Sequence, residues 1–149
     1  WNTVPEKASL GRAPTWTANG TILDSITFFV EIKDGKPLMK GSKEKPYPLF
    51  KADMLPHDII ELVQSSFSLD LSATITATEE LRPRQFGGKP GFEFTFSFIT
   101  PDELKRRAFI SGAISESKLY LVVFQAAALH YYLKHLPSVG SMLNTATIE

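Results

Sequence analysis

With 149 residues, the chain is long enough for one domain that buries about two-thirds of the surface its unfolded form would expose. Apolar residues make up 43% and charged residues 21%, too apolar for disorder, and sixteen basic side chains balance sixteen acidic ones, so no overall field draws the protein to nucleic acid or an anionic membrane. Cysteine is absent, which excludes disulfides, thiolate catalysis and cysteine-based zinc or iron–sulfur centres.

Residues 1–18, "WNTVPEKASLGRAPTWTA", read as a polar, proline-bearing extended lead-in, with a single α+β domain expected over residues 19–149. A bacterial envelope protein freed of its signal peptide would begin this way. So would a lipoprotein cut after its lipid-bearing cysteine, or a chain shortened at its start. The expected location is the bacterial periplasm or outer membrane, with the membrane reached only through a removed N-terminal lipid anchor. No apolar run approaches the roughly 20 residues that a spanning helix needs.

"TILDSITFFVEI" alternates, placing Ile22, Ile26, Phe28, Val30 and Ile32 on one face of a half-buried strand. Asp34-Gly35 signals a tight hairpin, and "KPLMK" is expected to return as a short second strand. "GSKEKPYP", residues 41–48, reads as a solvated loop. "ADMLPHDIIELVQSSF" reads as a helix capped by Asp53, with Pro56 in its first turn and Ile59, Leu62, Val63 and Phe67 on one stripe.

From Leu69 the pattern turns to strand. Ala73, Ile75 and Ala77 alternate with Thr74, Thr76 and Thr78; "QFGGKPG" turns the chain; and Phe92, Phe94, Phe96 and Phe98 return opposite Glu93, Thr95 and Ser97. Each buried phenyl ring contributes about 2–3 kcal/mol of transfer free energy, so this strand reads as a core wall. "RRAFISGAI" and "KLYLVVFQAA" follow, the latter apolar on both faces, as in a central strand covered on both sides. "AALHYYLKHL" predicts a helix with Leu129, Tyr132, Leu133 and Leu136 inward, stopped by Pro137, with a last short helix after it. The sum is an antiparallel sheet of about six strands flanked by helices.

The ending "RRAFISGAISESKLYLVVFQAAALHYYLKHLPSVGSMLNTATI" resembles the close of the PsbP-like α/β/α sandwich family. That resemblance implies an α/β/α sandwich and a binding or assembly role rather than catalysis; no functional residue of the family is carried over. "WTANGTILDSITFFVEIKDGKPL" resembles a stretch of uncharacterised bacterial envelope lipoproteins.

Motifs for catalysis are missing: there is no G-x-S-x-G, no H-E-x-x-H, no phosphate-cradling loop and no dinucleotide fingerprint. His57 sits beside Asp58 at a helix start, and His130 and His135, five apart, cannot share a metal on one helix face; all three read as surface residues. Arg82 and Arg84 are expected at one end of a hairpin and Lys105 to Arg107 at the other, forming no single patch without help from another strand. A ligand site, if the fold holds one, is expected on the hydroxyl face, at Thr74, Thr76, Glu93, Thr95 and Arg107, with no cofactor and no metal. The expected function is a non-enzymatic domain that binds or scaffolds a protein partner in the cell envelope. The alternative is a small-molecule or anion-binding protein using the threonine-rich face, and exposed Trp1, Trp16, Phe86 or Tyr47 would mark a partner surface.

Overall fold

The computed structural model describes residues 1–6, 9–20, 23–39 and 47–145, with backbone alone for 128–131 and 145. Eight strands form one antiparallel sheet: β1 (Asn2–Thr3), β2 (Thr15–Thr17), β3 (Asp24–Lys33), β4 (Thr74–Thr78), β5 (Arg82–Phe86), β6 (Lys89–Ile99), β7 (Lys105–Ser115) and β8 (Lys118–Ala127). Two helices accompany them, α1 (Pro56–Leu71) and α2 (Ala128–Thr145). The strand order is β1-β2-β3-β8-β7-β6-β4, and β5 shares the outer edge of β6 with β4. The doubly apolar β8 is therefore central, as its sequence requires.

Alternation sorts the strand side chains into two cores. One holds Phe92, Phe94, Phe96 and Phe98 of β6, Ala108 and Ile110 of β7, and Leu119, Leu121 and Val123 of β8, under Ile59, Leu62, Val63 and Phe67 of α1. Phe67 meets Phe96 and Phe98 edge-on at 5.2 and 5.4 Å, a geometry aromatic pairs favour. The other core holds Ile26 of β3, Ala113 of β7, and Val122, Phe124 and Ala126 of β8, under Tyr132, Val139 and Leu143 of α2. One helix thus covers each face, an α+β arrangement with the sheet in the middle.

Eight strands stand where about six were expected, and the differences have local causes. Within residues 1–18, β1 and β2 extend the sheet, Leu10 enters the α1-side core, and the Gly11 amide donates to Asp70 Oδ2 at 3.0 Å. "KPLMK" makes no strand among its described residues. Its Asp34-Gly35 turn forms, but Pro37 meets Leu49 in an isolated bridge, and Leu38 and Met39 are both buried. Proline has no N–H for a ladder, and two consecutive inward side chains do not suit a strand. Ile22 and residues 41–46 lie outside the described residues.

The single apolar face expected for β3 is split by a bulge between Phe29 and Ile32, where Glu31 takes a positive φ of 54°. Ile26 and Phe28 face α2, Ile32 packs with the α1 core, and Val30 is left 59% exposed. At α1 the cap is Leu55, not Asp53, because the residue before Pro56 is forced out of helical geometry. Asp58 Oδ2 accepts the Leu55 N–H at 2.9 Å. Pro137 does not stop α2; it lies inside one continuous helix. Burial of Tyr132, Val139 and Leu143 against one sheet face holds both halves in line, outweighing the hydrogen bond the proline removes. Leu133, expected inward, is 55% exposed, and the Leu129 and His130 side chains lie outside the described residues.

Candidate functional site

The polar side of β6 faces α2. Glu93, Thr95 and Ser97 lie opposite Ser111, Phe109 and Arg107 of β7, so strand pairing alone sets three polar residues beside an arginine. Where α2 leaves the sheet there is a cleft of about 290 Å³. Its walls include Glu79, Arg82, Glu93, Thr95, Arg107 and Tyr132. The Thr95 hydroxyl hydrogen-bonds with Tyr132, whose own hydroxyl is pushed above its ordinary range by burial, partly offset by that bond and by Arg107.

Several charges in and beside the cleft are paired with one another. Arg107 Nη2 donates to Glu79 Oε1, and its guanidinium lies 5.1 Å from the centroid of the Tyr132 ring. Arg84 Nη1 donates to Glu93 Oε2 at 2.9 Å, and its Nη2 donates to Asn144 Oδ1 of α2 at 3.0 Å. These contacts hold α2 against the hairpin. Among the described residues, Arg107 Nε and Ser111 Oγ are buried without partners. One member of each basic group, Arg82 and Arg107, lines this cleft, because β4 and β5 run successively along the same edge of β6.

A second groove, of about 460 Å³, continues along the same sheet face past Arg107, with Thr76, Ser97, Ile99 and Lys105 among its lining. Of the residues read from sequence, the fold therefore gathers Glu93, Thr95 and Arg107 in the cleft and Thr76 in the adjoining groove. Thr74 opens β4 opposite Ile99 and lines neither. Thr78 faces the other way, accepting a hydrogen bond from Gln64 Nε2 of α1 at 2.7 Å. A bulge between Ile75 and Ala77 reverses the alternation there, so the three threonines share no single face.

A further polar cluster escaped sequence reading. Asp24 is buried at the start of β3 and accepts hydrogen bonds from Thr17 Oγ1, the Ala18 and Asn19 amides and Asn19 Nδ2, at 2.6–3.0 Å. Burial pushes its pKa up, but these donors outweigh it and hold the carboxyl below its ordinary range. His135 of α2, expected at the surface, brings Nε2 to 3.4 Å from Asp24 Oδ2, and the Trp1 ring lies edge-on to it at 5.0 Å. The cluster fastens α2 to the first three strands. His57 is solvated beside Asp58, at 3.3 Å.

Apolar side chains are also exposed on the α2 side. Trp16 of β2 is 39% exposed and meets Phe28 of β3 edge-on at 5.0 Å, and Val30, in the bulge of β3, is exposed. Trp1 is exposed too, whereas Phe86 is buried in the α2-side core and offers no surface. Tyr47 is half-buried, its hydroxyl bonded to Asp70 Oδ1 at 2.9 Å. Among the described residues, no three metal-ligating side chains gather, and no helix is long and apolar enough to cross a membrane. Compared with protein-family models and with curated proteins, the sequence finds no match.

Proposed function

We propose that this chain is a non-enzymatic binding domain of the bacterial cell envelope, periplasmic or lipid-anchored at the outer membrane, that docks a protein partner. The fold reading that goes with it is a PsbP-like α/β/α sandwich, supported by an antiparallel sheet with one helix on each face. The envelope reading rests on the resemblance of the early strand and turn to envelope lipoproteins.

One observation carries the partner reading: Trp16, 39% exposed, packs edge-on against half-buried Phe28, and Val30, two residues further along β3, is 59% exposed. Neighbouring exposed apolar groups mark interaction surfaces, and tryptophan is enriched among the residues that dominate binding energy. The cleft supports a small anionic ligand less well, because Arg107 is already paired with Glu79 and the walls also carry Glu80 and Glu93. A charged ligand there would have to displace existing ion pairs.

The test is a photo-crosslinking amino acid at Val30 in cells that make the native protein. A discrete adduct is expected, reduced about tenfold by Trp16→Ala, in line with about 1.4 kcal/mol lost at a contact hot spot. Trp16→Ala should leave the melting curve nearly unchanged, since the ring is exposed. Recovery of monomer alone from Val30 and from neighbouring positions, with several crosslinking chemistries, would count against a partner.

A further inference from the structure

We propose that the groove between β4, β6 and β7 binds a phosphate ester, with the phosphate on its cationic and hydroxyl wall and an apolar body along Ile99. This goes beyond the partner surface, which lies across the sheet on β2 and β3. The two polar depressions of the α2 face share Arg107 but differ in charge. The cleft beside Tyr132 sets Glu79, Glu80 and Glu93 against Arg82 and Arg107; the groove's lining includes Lys105 and Arg107 and no carboxylate, with Glu79 on Arg107 at its margin. Side chains alternate along β7, so Lys105 and Arg107 share the groove's face while Arg106 turns with Phe98 and Ala108 to the other; two cations therefore border this concavity.

Geometry brings the donors together. Ser97 pairs directly with Arg107, and Ile99 with Lys105, so hydroxyl, guanidinium and ammonium lie on alternate rungs of the β6–β7 ladder, which share one face. The bulge in β4 supplies the fourth group: the extra residue, Thr76, lines the groove beside Ser97. Of the two cations, Arg107 is paired with Glu79. Lys105 is exposed and has no ion pair among the described residues, which leaves one positive charge for a ligand to neutralise. A point cation flanked by hydroxyl donors suits a tetrahedral oxyanion. The volume, about 460 Å³, falls within the range of small-molecule sites and exceeds what a bare phosphate fills, so the ligand carries a body. Ile99 and the methyl of Thr76 supply apolar surface for it.

Amide NMR titration of the full chain with phenyl phosphate, inorganic phosphate and benzyl alcohol tests this. The expected result is saturable shifts at Thr76, Ser97 and Lys105 with phenyl phosphate, and binding at least about tenfold weaker for the other two, each of which lacks one half of the ligand. Lys105→Gln, at an exposed position that leaves the fold intact, should weaken phenyl phosphate by about tenfold or more, the loss of one charge-assisted contact. Raising salt from about 0.05 to 0.2 M should weaken it further. Dihexanoyl phosphatidic acid distinguishes the ligand's source: binding over tenfold tighter than phenyl phosphate identifies a lipid head, and equal binding a free ester. Benzyl alcohol binding as well as phenyl phosphate, an unchanged affinity in Lys105→Gln, or shifts confined to Arg82 and Arg84 would each overturn the proposal.

Discussion

Alternate residues of the same strands make the two faces of the sheet, yet the faces are built on different terms. The α1 face is a continuous apolar wall: four phenylalanines of β6, neighbours from β7 and β8, and a helix whose stripe fits them. The α2 face mixes a smaller apolar core with ion pairs, a buried carboxylate, two depressions and an exposed tryptophan. Concentrating large apolar side chains on one side stabilises the domain enough for the other side to carry polar and exposed groups whose net contribution to folding is small.

Core truncation should show this asymmetry most strongly. Phe96→Ala, at a fully buried ring, is expected to cost about 3–5 kcal/mol, read from the urea midpoint at unchanged slope. Tyr132→Phe, on the opposite face, should cost about 1 kcal/mol, the usual net value of one hydrogen bond. Equal losses would mean that both faces bear the fold alike.

Asp24→Asn should come next, at about 1–3 kcal/mol, because it weakens a buried acceptor set and leaves donors in the turn short of a partner. The sign of its pH dependence follows from its lowered pKa. The unfolded state takes up the proton first, so Asp24's contribution is present above the ordinary value of 3.8 and is lost as pH falls below it. The variant's stability should therefore decline less between about pH 5 and pH 2 than that of the native chain. An identical acid profile would remove Asp24 from the account of how α2 is fastened.

On the α1 side, Tyr47 predicts the opposite end of the pH scale. Burial and then the adjacent Asp70 push its hydroxyl up to about 12 from an ordinary 10.0. Its stabilising contribution is complete below pH 10 and is lost as pH rises towards 12. Tyr47→Phe should flatten the alkaline limb of the stability profile. The smallest effect belongs to Arg84→Ala: a partly solvated ion pair contributes no more than about 1 kcal/mol, and added salt should shrink the difference between variant and native.

Much of this division was legible in the chain because it depends on local period. Phenylalanines two apart specify one side of a strand, and the stripe Ile59, Leu62, Val63, Phe67 specifies one side of a helix; both are buried. Apolar residues on both faces of β8 announced its central place. What escaped depends on partners distant in sequence. A bulge is a mismatch between two strands, so neither the split of β3 nor the separation of Thr78 from Thr76 is written in either strand alone. β1 and β2 are too short to carry a period, and Pro137 stays helical because of what packs around it. In the candidate site, Glu93, Thr95 and Arg107 follow from strand pairing, whereas Glu79, Tyr132 and the Asp24–His135 contact arise between segments that only the tertiary fold brings together. The acidic pair Glu79-Glu80 just ahead of Arg82 was the one local hint of the cleft.

The contrast between a closed face and an open one can be measured on the rings themselves. Fluorine NMR of protein labelled with 4-fluorophenylalanine, with a soluble paramagnetic probe added, reads each of the eleven phenylalanines separately. Phe92, Phe94, Phe96 and Phe98 should be untouched by the probe while Phe28 and Phe109, half-exposed on the α2 side, are attenuated. Attenuation of any β6 ring to the level of Phe28 would contradict the separation of the two faces.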